Sequence, residues 1–197
     1  VLSIEGQSMF AERLENLRNW HRLGVRVASL THGGGNWGGT TGEPQVDPSH
    51  FGYLSPPERA LLRRQTKGLT AFGRASLDEM TRLGLLCDLA HVNDTTFWQA
   101  IEHGRLKVCV THGNCHALCP HTRNLTDDMM KALAARGGVL GLCLARGFID
   151  QESPTLDRLA DHVLHALEVM GPDHVGIGTD FDGLAPHTLP MIESAER

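Results

Sequence analysis

The chain has 197 residues, 41% of them apolar, with 18 Lys+Arg against 23 Asp+Glu and a formal net charge of −5. This is the composition of a globular protein, and its mild acidity excludes the basic stripe on which a nucleic-acid binder depends. No apolar run approaches the roughly 20 residues that a bilayer-spanning helix requires, so no membrane segment is expected.

In chain order, short β-rich runs alternate with helical patterns. Val1–Ile4 reads as a strand. Met9–Arg22 places Phe10, Leu14, Leu17 and His21 at helical spacing, with Gly24 as the stop. Val25–Thr31 is a strand, followed by a Gly-, Thr- and Pro-rich loop. Ser55-Pro56-Pro57-Glu58 resembles a capping box and predicts a helix to Lys67. Ser76–Leu83 is helical and Leu85–Ala90 a strand, after which Asp94 is expected to cap a helix ending near Gly104. Leu106–Thr111 is a strand. Thr126 starts a helix, acidic at its head, that ends at Gly137-Gly138. Val139–Leu144 is a strand, Thr155–Met170 an amphipathic helix, and His174–Thr179 the sixth strand.

Strand–helix alternation implies a parallel sheet with right-handed crossovers. The choice lies between an open doubly wound sheet and a barrel. No Gly-x-Gly-x-x-Gly follows a strand, and Gly33-Gly34-Gly35 lacks the Lys-Ser/Thr of a P-loop. Neither nucleotide-binding reading has its fingerprint.

The position of the reactive residues is more telling. Glu5, His32, His91, His112 and Asp180 follow the first, second, third, fourth and sixth strands. In a parallel barrel the carboxyl ends of all strands open on one face, where active sites assemble. A single histidine at a strand end is more often a cap or a core residue; five ionisable groups in one register are not explained that way. Two imidazoles and a carboxylate suit a catalytic zinc ion, which keeps one position open for water, and Asp180 would move protons across the mouth. Asp182, in Asp180-Phe181-Asp182-Gly183, reads first as a turn residue. A rival structural-zinc reading uses His112, Cys115, His116, Cys119 and His121, but lacks the usual Cys-x-x-Cys pair. The five cysteines (87, 109, 115, 119 and 143) have no disulfide-scaffold spacing and read as buried thiols, which makes the cytoplasm the expected compartment.

Several segments together resemble the membrane (renal) dipeptidases and their bacterial relatives, metallopeptidase family M19. They are Ile4-Glu5-Gly6, Leu23-Gly24-Val25-Arg26, Leu30-Thr31-His32, Gly68-Leu69-Thr70-Ala71-Phe72-Gly73 and Met80-Thr81-Arg82-Leu83-Gly84, then Asp88-Leu89-Ala90-His91-Val92, Thr111-His112, Arg123-Asn124, Asp127-Asp128 and Asp173 through Gly183. The resemblance implies a TIM-type (β/α)8 barrel with two zinc ions that hydrolyses small dipeptides by metal-activated water, some with a D-residue at the second position. By motif, Glu5 would bridge both metals and His91 and His112 would complete one site. His32 would contact substrate and support the oxyanion, Arg123 would pair with the substrate carboxylate, and Asp180 would pass a proton to the leaving amine.

The family's first strand carries a His-x-Asp for the other zinc, and no such pair occurs here; His50 and His187 are outside one, and Asp161-His162 is reversed. By family order the six strands correspond to strands 3–8. The expectation is therefore one partial barrel domain over residues 1–197, with the Glu5/His91/His112 site retained, two open sheet edges and weak activity on its own. A homodimer is an expected option. The competing expectations are an amidohydrolase-like enzyme acting on cyclic amides or lactones and a non-catalytic remnant. Trp37 is read as a wall of the cleft or a cover of the barrel mouth. His174 is read as structural, His162 and His165 as surface or interhelical, and His103, His116 and His121 as loop residues without a role.

Overall fold

The computed structural model describes residues 1–32, 38, 39, 57 and 67–181. Trp37, His50, His187, Asp182 and residues 58–66 of the helix read from Ser55 lie outside the described residues.

Six strands form one sheet: β1 (Leu2–Ile4), β2 (Val25–Ser29), β3 (Leu86–Asp88), β4 (Lys107–Gly113), β5 (Leu140–Leu142) and β6 (Val175–Ile177). Their spatial order is their chain order, and every neighbouring pair is parallel. A doubly wound sheet reverses its strand order at a switch point; this one never does, so the succession is that of a barrel wall. Helices α1 (Leu14–Arg22), α2 (Ala71–Leu83), α3 (Asp94–Ile101), α4 (Asp127–Ala135), α5 (Arg146–Ile149) and α6 (Leu156–Met170) lie between the strands. Leu17, Leu77, Met80, Met130 and Leu133 from the helices are fully buried together with Leu140 and Leu142 from the sheet.

Four helices start by the same local device. The side-chain oxygens of Thr70, Asn93, Thr126 and Thr155 accept the backbone N–H of Gly73, Thr96, Met129 and Arg158, which satisfies one of the amides orphaned at a helix start. This corrects two expectations. The second helix begins at Ala71 rather than Ser76, because Thr70 is its cap. Asn93, not Asp94, caps α3, and Asp94 takes the first helical position, where its charge suits the macrodipole.

The helix read over Met9–Arg22 is also broken. A 3-10 turn at Ser8–Phe10 ends where Ala11 and Glu12 enter the left-handed region (φ 46° and 53°), and α1 begins at Leu14. Apolar spacing continued through the break because Phe10 and Leu17 are both fully buried. The short helix α5 has no counterpart in the sequence reading. His162, read as surface or interhelical, is a core residue: its Nδ1 accepts the Cys115 N–H at 3.0 Å and its Nε2 lies 2.9 Å from the Ile149 carbonyl. An Nδ1 that accepts an N–H carries no proton, so it is the neutral imidazole that joins the loop after β4 to α5, and burial, which lowers its pKa, acts in the same direction. His165 is interhelical as expected, with Nε2 2.9 Å from Asp127 on α4.

A buried carboxylate ties α1 to α2. Glu79 accepts from Arg82 at 2.5 and 2.9 Å and from Arg18 Nε at 2.6 Å. The Arg82 and Arg18 hydrogen bonds outweigh burial and hold the carboxyl at about 2. A depressed carboxyl stabilises the fold above its unfolded pKa and loses that contribution as pH falls through its folded one. Glu79→Gln should therefore lower unfolding free energy at neutral pH by about 1.5–3 kcal/mol, the worth of a hydrogen bond to a charged group. Urea titrations at stepped pH should show the difference from wild type shrinking between about 4.5 and 2; a constant difference would assign the loss to packing instead.

Candidate metal centre

The carboxyl ends of β1 to β4 bring four of the expected residues together. Glu5 directly follows β1, His32 follows β2 by three residues, His91 follows β3 by three, and His112 is the next-to-last residue of β4. Glu5 Oε1 lies 3.0 Å from His91 Nε2 and 3.4 Å from His112 Nε2, while the two imidazole nitrogens are 2.9 Å apart. The other carboxylate oxygen, Oε2, faces His32 Nε2 at 3.6 Å. Donor atoms of Glu5, His32 and His91 all lie within 4.8 Å of one another. His91 and His112 are buried, whereas Glu5 and His32 face solvent, so the cluster has a closed floor and an open mouth.

These separations fit a metal. Four ligands at zinc distances of 2.0–2.1 Å stand about 3.3 Å apart at the corners of a tetrahedron. The Glu5, His91 and His112 donors already form a triangle of nearly that edge. Burial works against a charged Glu5, but the His91 hydrogen bond and, with the imidazoles protonated, the charges of His91, His112 and His32 outweigh it and hold the carboxyl at about 2.

Backbone strain marks the same face. Four non-glycine described residues have positive φ, and two of them are His91 (68°) and Asp180 (59°). Left-handed backbone is costly for such residues and persists where the surroundings enforce it, commonly at functional sites.

Arg123 and Asp180 stand further round the sheet, in the loops after β4 and β6. Both act on the Cys143 thiol, which burial pushes up to about 12, with Asp180 raising and Arg123 lowering it. Arg123 is buried, and its guanidinium carbon sits 5.1 Å from the centre of the Phe148 ring, a cation–π contact. His121, expected to have no role, stacks on the same ring at 4.6 Å. Phe148, on α5, is thus a support for Arg123 that sequence reading missed. An aromatic residue in an unassigned loop gave no periodic signal to find it by.

Two further supports were missed. Between Val110 and Gly113 the β4–β5 register slips, three steps on β4 matching two on β5. This bulge falls on Thr111 and His112, and bulges re-aim side chains. Beyond it the Asn114 amide reinforces the ladder: its Oδ1 accepts the Cys143 N–H at 2.9 Å, which also reaches the Gly113 carbonyl at 3.3 Å, and its Nδ2 donates to the Cys143 carbonyl at 3.0 Å. Asn124 extends this, accepting from Asn114 N and donating to the carbonyls of Cys119 and Phe148.

The cysteines are not arranged as a zinc knuckle. All five are buried and in no disulfide. Cys115 Sγ donates to the His162 carbonyl on α6 and Cys119 Sγ to that of Gly147 on α5, so the two sulfurs serve different helices.

A parallel barrel wall with carboxylate and imidazole side chains at the carboxyl ends of its strands is an arrangement on which metal sites are built. The family model for membrane dipeptidase, peptidase family M19, matches residues 1–194, and the chain belongs to that family. An uncharacterized dipeptidase of Schizosaccharomyces pombe is 36% identical over 93% of this chain and 41% of its own length. A solved M19 dipeptidase superposes with a TM-score of 0.77 at 28% identity, over 96% of this chain and 53% of that one. A metallopeptidase from Rhodobacter sphaeroides, solved with a phosphinate mimic of the dipeptide L-Ala-D-Ala, superposes with a TM-score of 0.74 at 26% identity, over all of this chain and 56% of its own. The chain thus spans about four-tenths of that curated relative and about half of the solved structures.

Proposed function

We propose that this chain carries the catalytic face of a zinc-dependent dipeptidase, acting on small dipeptides and accepting a D-residue at the C-terminal position. The observation that carries the reading is the convergence of Glu5, His91 and His112 donors at 2.9–3.4 Å. Those three residues would hold the ion, and the second oxygen of Glu5 faces outward to His32. A zinc ion there supplies Lewis acidity, making water more acidic and the scissile carbonyl more electrophilic.

The remaining steps belong to side chains of this chain. His32, exposed at the mouth beside Glu5, donates to the oxygen of the carbonyl as negative charge develops on it. Arg123, steadied by Phe148, receives the free carboxylate of the substrate and sets its register. Asp180 carries a proton to the leaving nitrogen, which must leave as an amine. Charged partners for both ends of the substrate favour a short zwitterion over a longer peptide. The dipeptide-mimic complex of the Rhodobacter sphaeroides relative supports the D-residue preference.

The test compares L-Ala-D-Ala with a cyclic amide and a lactone, using the whole protein before and after chelation. The dipeptide should be hydrolysed, activity should vanish on chelation, and zinc should restore it. Preference for the cyclic amide or the lactone would move the reading to a different amidohydrolase chemistry on the same barrel.

A further inference from the structure

We propose that Asp88 is a positioning residue for both buried imidazoles, and that through the Thr111 hydroxyl it fixes His112 as the Nδ1–H tautomer with the Nε2 lone pair directed at Glu5 and His91. Its consequence for metal binding rests on the reading of His112 as a ligand; the tautomer itself does not.

Asp88 closes β3 and is buried, and each of its oxygens is an acceptor. Oδ1 takes the backbone N–H of Ala90 at 3.0 Å and of Thr111 at 2.9 Å, and Oδ2 takes the Thr111 hydroxyl at 2.6 Å. A threonine hydroxyl has a single proton, and this one is given to Asp88. Thr111 Oγ1 also lies 2.8 Å from His112 Nδ1. That contact is closed only if Nδ1 carries the hydrogen and donates it. A neutral imidazole has one N–H, so Nε2 is left as an acceptor, and it is Nε2 that lies 3.4 Å from Glu5 and 2.9 Å from His91.

The reverse chain of protons would run from a neutral Asp88 to Thr111 and on to Nδ1, placing the hydrogen on Nε2, where it would block a metal. The two backbone N–H bonds to Oδ1 stabilise the ionised form, whose Oδ2 takes the Thr111 proton, against burial, which raises this carboxyl above its ordinary value; the first arrangement is the one the carboxylate gives. The same Oδ1 acts on the other histidine. Its bond to the Ala90 N–H closes a tight turn directly before His91, whose backbone must be left-handed at φ 68°. One carboxylate therefore sets the ring orientation of His112 and the backbone approach of His91. Partners of this kind tune metal sites through the ligand they hold.

The experiment is long-range 1H–15N correlation of the imidazoles in the metal-free full chain at alkaline pH, with His112 assigned by the peaks lost in His112→Gln. Zinc affinity is measured alongside by chelator competition. Wild type should show a protonated Nδ1 on His112. Thr111→Val, which keeps the shape and removes the hydroxyl, should shift His112 toward Nε2–H and weaken zinc binding about 10–100-fold. Thr111→Ser should restore the wild-type spectrum and affinity. A wild-type His112 protonated on Nε2 overturns the proposal without any variant, as does a Thr111→Val protein with unchanged tautomer and affinity. A wild type with the expected tautomer that takes up no zinc would uphold the proposal and defeat the metal reading.

Discussion

Glu5→Gln should cost more than about 100-fold in zinc affinity, above the range seen when only a supporting partner is lost, and hydrolysis should fall with it. The carboxylate puts one oxygen within 3.0 and 3.4 Å of two imidazole nitrogens and the other 3.6 Å from a third. The amide keeps the shape but is neutral, and its NH2 end cannot ligate a cation. Because Glu5 faces solvent after a three-residue strand, the fold should scarcely notice. Metal uptake and melting temperature, measured on one preparation, separate the two effects. Unaltered zinc affinity in Glu5→Gln would remove Glu5 from the centre, and a collapse in melting temperature would make its role structural.

Gly178→Ala should be strongly destabilising. Gly178 follows β6 and donates its N–H to the Leu142 carbonyl at 2.9 Å. A methyl there would overlap the Thr111 carbonyl oxygen, with the Gly141 Cα beside it at 3.2 Å. Gly141 meets the same Thr111 oxygen, so the backbones of β4, β5 and β6 touch with no side chain between them. Overpacking usually costs about 1–3 kcal/mol; here the obstacle is backbone that cannot rotate away, so about 3 kcal/mol is expected. At this chain length each kcal/mol lowers the melting temperature by about 2–4 °C, giving a fall of about 6–12 °C. The displaced carbonyl belongs to the residue before His112, so zinc affinity should fall as well. Gly176→Ala is the control: on β6, two residues earlier, its added methyl would meet only Val139 Cγ1 at 3.7 Å, in ordinary contact. That variant should stay within about 0.5 kcal/mol of wild type. Equal effects at positions 176 and 178 would refute the close-approach argument.

The barrel wall was readable because β-rich runs and capped helices alternate without interruption. The convergence of Glu5, His91 and His112 was readable because each lies at the carboxyl end of an apolar run whose direction the topology dictates. What stayed hidden depends on φ angles or on partners distant in sequence. The break at Ala11 and Glu12 interrupts a helical pattern that Phe10 and Leu17 continue across it, since both ends reach the same core. Asn93 and Asp94 are equally good caps on composition, and only the backbone decides between them. His162 looked like one of several helix histidines, and nothing near it in sequence announces Cys115 or Ile149 as partners. Asp88 was part of a recognised segment, yet its role depends on Thr111, 23 residues later. The register slip that aims His112 is a property of two strands, invisible in either alone.

Zinc K-edge X-ray absorption on the protein loaded with one equivalent of zinc tests the central claim most directly. The account predicts nitrogen and oxygen neighbours at about 2.0–2.2 Å with two imidazoles among them, and the loss of one imidazole in His112→Ala. A sulfur shell near about 2.3 Å, or a spectrum that His112→Ala leaves unchanged, would contradict it.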